Sequence, residues 1–144
     1  MIKFMMVSIA LVAAPAASAK DYTVRMLNKG AAGAMVFEPT FLKIAPGDSV
    51  TFEPTDKSHN AESIPTMLPA GAAPFKGKMN EAVTVKFDKA GIYGIKCLPH
   101  FSMGMVAMIQ VGKAVASVEK TKVELAKLPA LPKKRLAPLL AAVK

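Results

Sequence analysis

Side chains that bind soft transition metals lie together in one short segment. Cys97, His100 and Met105 follow one another at the spacing C-x-x-H-x-x-x-x-M, and His59 lies upstream. A thiolate, two imidazoles and a weakly bound thioether are the ligands of electron-transfer copper sites. The chain contains one cysteine and two histidines, so a single site would use all three. The sequence therefore predicts one mononuclear copper ion and a redox role.

Three details of this predicted site have alternatives. Zinc also binds Cys and His, but structural zinc sites draw on four such ligands and this chain has three. Met103 competes with Met105 for the axial position; the spacing favours Met105, and we expect Met103 to be exposed beside the site. Asn60 either joins the two ligand loops by hydrogen bonds or makes only its own turn.

The beginning of the chain has the composition of an export leader. Lys3 precedes an apolar run, and Ala17-Ser18-Ala19 forms a small-residue cleavage site. We predict that residues 1–19 are removed, with no membrane anchor left because the apolar run is short. Residues 20–144 have the size of a single domain. The formal charge of +9, which falls by one with the loss of Lys3, favours acidic partners.

Short segments rich in β-branched and aromatic residues predict strands. They are residues 22–27, 41–44, 49–52, 82–87, 92–96 and 105–111, and turns are predicted at 28–30, 45–48 and 88–91. Such a pattern predicts an all-β Greek-key sandwich of antiparallel strands over residues 20–113. The long irregular stretch 54–80 contains His59, so we expect it to form one wall of the site.

The pattern changes to a helical one after Gly112. Helix formers dominate residues 114–127, and apolar residues recur at the spacing of one helix face over 136–143. We predict two short C-terminal α-helices within residues 114–144 that cover one sheet, with a boundary or kink near Pro138. The basic run 133–135 is expected to be a solvated face, not a nucleic-acid or membrane patch.

These features resemble the cupredoxins and, among them, the pseudoazurin family of type 1 blue copper proteins. The resemblance rests on the leader, the sandwich with its helical tail, His59-Asn60, the segments 33–39 and 44–48, and Lys-Cys-x-Pro-His-x-x-Met-Gly-Met over residues 96–105. Leu98 departs from it, because several relatives carry a small or hydroxyl residue there. The resemblance implies copper bound by His59, Cys97, His100 and Met105.

The same resemblance implies where and with what the protein works. It implies a periplasmic electron carrier in denitrification whose redox partner is copper nitrite reductase or a cytochrome. The ring edge of His100 would be exposed within an apolar rim, for which the candidates are Met35, Pro54, Pro99 and Met103. A basic ring would surround the rim, with the candidates Lys29, Lys57, Lys76 and Lys96.

Two other function classes are compatible with parts of this pattern. A periplasmic copper-binding or delivery protein would hold the metal for transfer, but such proteins favour open sites rich in Met and His. An enzyme with Cys97 as nucleophile would need a third catalytic partner, and the sequence contains neither that partner nor a Gly-rich oxyanion loop. We therefore expect an electron carrier that is not an enzyme.

Overall fold

The computed structural model describes residues 17–144, so the predicted leader lies almost wholly outside the described residues. Within them the chain forms two four-stranded sheets, in the orders β2-β1-β4-β6 and β3-β8-β7-β5. The strands are β1 (Asp21–Gly30), β2 (Gly33–Glu38), β3 (Phe41–Ile44), β4 (Ser49–Pro54), β5 (Glu62–Ser63), β6 (Val83–Lys86), β7 (Gly91–Lys96) and β8 (Val106–Val111). The predicted sandwich is confirmed.

Alternation along the strands directs apolar side chains between the two sheets. Val24 and Met26 of β1 are fully buried there with Phe52 of β4 and Ile109 of β8, while the intervening Arg25 is exposed. Each such side chain contributes roughly 1.5–3 kcal/mol when it is removed from water. The resulting core is continuous with Cys97, which belongs to the same cluster.

Two strand pairs differ from the predicted antiparallel arrangement. β1 pairs with β4 in parallel, and β3 pairs with β8 in parallel. The first of these pairs arises because the chain leaves the first sheet after β2, forms β3 in the second sheet and returns as β4 beside β1. A crossover of this kind produces a parallel neighbour, whereas a hairpin cannot.

The predicted turn at residues 28–30 is wrong, and β2 was not predicted as a strand. β1 continues through Gly30, which pairs with Gly33 across a turn at residues 31–32. β2 lacks a clear alternation, since the adjacent Val36 and Phe37 are both buried; Gly33 and Met35 also have positive φ angles of 121° and 51°. The extension of β1 carries Asn28 to the end of the sandwich where the metal-ligand candidates lie.

The C-terminal segment forms the two predicted helices, α1 (Val118–Ala126) and α2 (Ala130–Leu136). A 3₁₀ segment (Ala137–Ala142) follows α2, with Pro138 near its start, where a residue without an N–H group interrupts α-helical bonding. Leu125 of α1 and Leu136 of α2 are buried against Met108 of β8. β8 is therefore buried on both faces, between the sandwich core and the helices.

Neither α-helix in the described part of the chain has the length and hydropathy required to span a bilayer.

Candidate metal centre

A short strand pair brings the ligand-bearing segments together. β5 is antiparallel to the end of β7, with Glu62 opposite Lys96. His59 lies just before β5 and Cys97 just after β7, so both reach the same end of the sandwich. The connection from β7 to β8 holds His100. The long loop after β4 therefore forms one wall of the site, and the β7–β8 connection forms the other.

Three donor atoms converge at this end. The Cys97 Sγ atom lies 3.7 Å from Nδ1 of His59 and 3.7 Å from Nδ1 of His100, and the two Nδ1 atoms are 3.2 Å apart. The ligand atoms of the three residues all lie within 4.8 Å of one another. Bonds of about 2.0–2.3 Å from one metal ion to imidazole nitrogen and thiolate sulfur give separations of this size. The donor triangle therefore fits a single ion.

The hydrogen bonding of His59 leaves the correct nitrogen available. Its Nε2 atom lies 2.8 Å from the Oδ1 atom of Asn28. A carboxamide oxygen only accepts hydrogen bonds, so Nε2 carries the proton. The lone pair of Nδ1 is then free and directed at the metal-binding atoms of Cys97 and His100. Burial, and then the neighbouring His100, lower the pKa of His59. Both effects favour the neutral imidazole that binds metals.

The environment of Cys97 differs from that of a reactive nucleophile. The residue is fully buried, and burial raises the pKa of its thiol, although backbone N–H groups of Asn60 and His100 act in the opposite direction. Nucleophilic cysteines have a lowered pKa and an accessible sulfur. Burial therefore favours the protonated thiol, and a cation that displaces the proton would stabilise the thiolate.

The two methionines of the β7–β8 connection have different surroundings. Met105 is fully buried in the core cluster that contains Cys97, its N–H group donates to the carbonyl of His100, and its own carbonyl accepts from Cys97 N–H. Met103 is 45% exposed, as expected. Of the two, Met105 has the surroundings of a metal ligand.

Asn60 joins the two walls of the site. Its Oδ1 atom accepts a hydrogen bond from the backbone N–H group of Leu98 at 2.8 Å. Its Nδ2 atom donates to Oε2 of Glu62 at 3.1 Å and to the carbonyl of Gly77 at 3.2 Å. Since Asn60 follows His59 and Leu98 follows Cys97, this side chain sets the spacing between the two ligand segments.

Comparisons with known proteins agree with this geometry. Residues 24–112 match the family model described as copper binding proteins, plastocyanin/azurin family. A putative pseudoazurin from Rhizobium leguminosarum bv. viciae is 56% identical over 134 residues, covering 92% of this chain and 87% of the relative. A pseudoazurin from Paracoccus pantotrophus is 49% identical over 125 residues, covering 87% and 85%.

Comparison with solved structures also identifies pseudoazurins as similar proteins. The crystal structure of pseudoazurin from Methylobacterium extorquens AM1 superposes with a TM-score of 0.81 at 45% identity, covering 86% of this chain and 99% of the other. The chain belongs to the pseudoazurin family. Pseudoazurins are copper electron carriers and not enzymes, which confirms the predicted cofactor and the predicted absence of catalysis.

The docking candidates of this pseudoazurin lie on strands and on the connections between them. Met35 and Pro54 are half-buried, on β2 and at the end of β4, and Pro99 is exposed beside His100. Three of the four lysines are exposed: Lys29, Lys57 and Lys76.

Lys96 differs from those lysines. Its side chain is 19% exposed, its Nζ atom lies 3.5 Å from Oε1 of Glu62 and 5.2 Å above the ring of Phe101. Its charge is therefore matched locally, and Lys96 supports the wall of the site.

Removal of the Asn60 side chain is expected to loosen the centre. In Asn60→Ala the part-buried Leu98 N–H and the buried Gly77 carbonyl lose their partner, which costs about 1–3 kcal/mol of the free energy of unfolding. Copper affinity should fall by about 10- to 100-fold, as is typical when a group that orients metal ligands is lost.

Urea unfolding of the apoprotein and competitive copper titration measure the two effects. The matched control is Ser102→Ala, which changes an exposed residue of the same connection. Equal copper affinity in Asn60→Ala and Ser102→Ala would contradict the role given to Asn60.

Proposed function

We propose that this chain carries single electrons in the periplasm through one copper ion held by His59, Cys97, His100 and Met105. The observation that carries the proposal is the convergence of Sγ of Cys97 and Nδ1 of both histidines within 4.8 Å. When bound, copper supplies the one-electron Cu(I)/Cu(II) couple, and this donor set is the one used in blue-copper electron transfer.

The burial of the ligand side chains determines whether water or a redox partner can approach the copper site. His59, Cys97 and Met105 are fully buried, which excludes water from the thiolate. His100 is half-buried, so its ring edge is the part of the ligand set that a partner can contact. Electrons therefore pass through the imidazole of His100, because the other three ligands are not accessible to a partner.

Copper loading provides a direct test of the ligand set. Wild-type protein is expected to show an intense visible thiolate-to-Cu(II) charge-transfer band. Cys97→Ser should lose this band because the thiolate is removed, whereas Met105→Leu should stay coloured with a changed reduction potential, because the axial ligand tunes the potential.

Met103→Leu is the matched control for Met105→Leu and should leave the potential unchanged. A Cys97→Ser variant as coloured as wild type would refute the ligand assignment. Loss of the visible band from the wild type would instead favour a delivery protein.

Residues 1–19 support the periplasmic location in this proposal, since their composition is that of an export leader. Amino-terminal sequencing of the exported protein should begin at Lys20, and a retained Met1 would count against export by this route.

The surface around His100 supports a transient redox partner with an acidic face. Leu98 and Met103 flank His100 on the same connection and are 48% and 45% exposed, so they form an apolar contact around the imidazole. The exposed lysines near this end are Lys29, Lys57 and Lys76.

We propose copper nitrite reductase as the acceptor, with a cytochrome as the other candidate. Charge attracts the partner, and the apolar contact excludes water at the point of transfer.

Single alanine substitutions of Lys29, Lys57 and Lys76 test this surface. Each should slow second-order electron transfer to nitrite reductase roughly two- to fivefold at low ionic strength, as part of the 10- to 10³-fold range of electrostatic steering. The difference should shrink as salt screens the charges. The copper spectrum should not change. Stopped-flow kinetics across a salt series measure the rates.

The control is Lys113→Ala, which removes the same charge just after the far end of β8. The proposed docking face is wrong if Lys113→Ala slows the reaction as much as the substitutions of Lys29, Lys57 and Lys76. It is also wrong if the wild-type rate is insensitive to salt.

A further inference from the structure

Arg135 of α2 departs from the solvated basic face expected for residues 133–135. Its Nη1 atom donates to the backbone carbonyls of Met35 at 2.6 Å and Gly104 at 2.7 Å. Its Nη2 atom donates to the carbonyl of Ala34 at 2.7 Å. Lys133 and Lys134, in contrast, are exposed. One guanidinium therefore connects the C-terminal helix to β2 and to the connection between β7 and β8.

The bond to Gly104 acts on the peptide group that precedes Met105. The φ angle of Gly104 is 87°, a conformation that favours glycine. A Cβ atom added to Gly104 would lie 3.2 Å from Cδ and Nε of Arg135, so the arginine side chain packs directly on this residue. The N–H group of Met105 is held by the carbonyl of His100 at 3.1 Å. The Gly104–Met105 peptide is thus fixed from both sides.

The bonds to Ala34 and Met35 fix the other element that Arg135 contacts. Met35 has a φ angle of 51°, which is uncommon for a residue with a side chain and persists only where the surroundings hold it. Among residues 17–144, no carboxylate lies within ion-pair distance of Arg135. The planar fork is directed entirely at backbone carbonyls, a geometry that the single ammonium group of lysine cannot reproduce.

Thioether bonds to copper are weak, so the position of an axial methionine is set by the protein backbone and not by the metal. We propose that Arg135 is a positioning residue for the copper centre: its guanidinium fixes the Gly104–Met105 peptide and thereby the placement of the Met105 side chain. This inference rests on the proposed role of Met105 as axial ligand. It makes the C-terminal helix part of the metal centre and not only a cover for the sheet.

Amide hydrogen exchange tests the mechanical part without copper. In the wild-type apoprotein, the Gly104 and Met105 amides should exchange with the same urea dependence as those of α2, because the guanidinium makes them open together. In Arg135→Lys and Arg135→Gln both amides should exchange about tenfold faster, since a hydrogen bond to a charged group is lost. The inference is overturned if α2 opens in the wild type without any change at Gly104 and Met105.

Copper-loaded variants test the effect on the centre. Arg135→Lys and Arg135→Gln should both shift the visible and paramagnetic resonance spectra and the reduction potential, because both lose the guanidinium and its hydrogen bonds to the backbone carbonyls. Lys134→Gln, which removes the neighbouring exposed charge, should match wild type. A purely structural role predicts lower stability in urea with unchanged spectra, and a purely electrostatic role predicts a shifted potential in Arg135→Gln alone. Either result would overturn the inference.

The two proposals can fail separately. Absence of the visible band in the wild type removes the proposed function, whereas a normal wild-type spectrum with unaltered Arg135 variants removes only the role of Arg135.

Discussion

Three donor atoms, the Sγ atom of Cys97 and the Nδ1 atoms of His59 and His100, are held within 4.8 Å of one another in a largely water-free environment. Burial disfavours the charged form of each buried partner: it raises the pKa of Cys97 and lowers that of His59. A bound cation reverses this penalty for the thiolate and uses the free lone pairs of the imidazoles. The rest of the sandwich holds the residues that carry these three atoms in place.

Those contacts come from three separate parts of the chain. Asn60 joins the two ligand segments, Asn28 orients the ring of His59 from β1, and Arg135 fixes the peptide before Met105 from the C-terminal helix. With copper bound as proposed, a frame of this kind would keep one ligand geometry for both oxidation states, and little reorganisation would accompany electron transfer. The helix α2, which carries Arg135, also helps to cover the outer side of β8 through Leu136.

The sequence predicts the local features well and the long-range contacts poorly. Strand alternation and the Cys-His-Met spacing are local signals, and they lead to the sandwich and to Cys97 and His100; His59 follows because the chain has only one other histidine. The parallel pair of β1 and β4 depends on a crossover that no local pattern specifies. The predicted turn includes Asn28, although this residue lies on the same alternating face of β1 as Val24 and Met26, and that period of two is a usable signal. Arg135 lies 100 residues from Met35, so its neighbours Lys133 and Lys134 suggested a solvated run.

The most direct test of a preformed copper centre is a pair of high-resolution crystal structures of the copper-loaded protein, one oxidised and one reduced. The account predicts three short bonds from His59, Cys97 and His100, a longer axial bond from Met105, and donor positions that agree between the two states within a few tenths of an ångström. Arg135 should remain bound to the Gly104 carbonyl in both. Four equal tetrahedral bonds, an axial bond from Met103, or a donor triangle that rearranges on reduction would contradict the account.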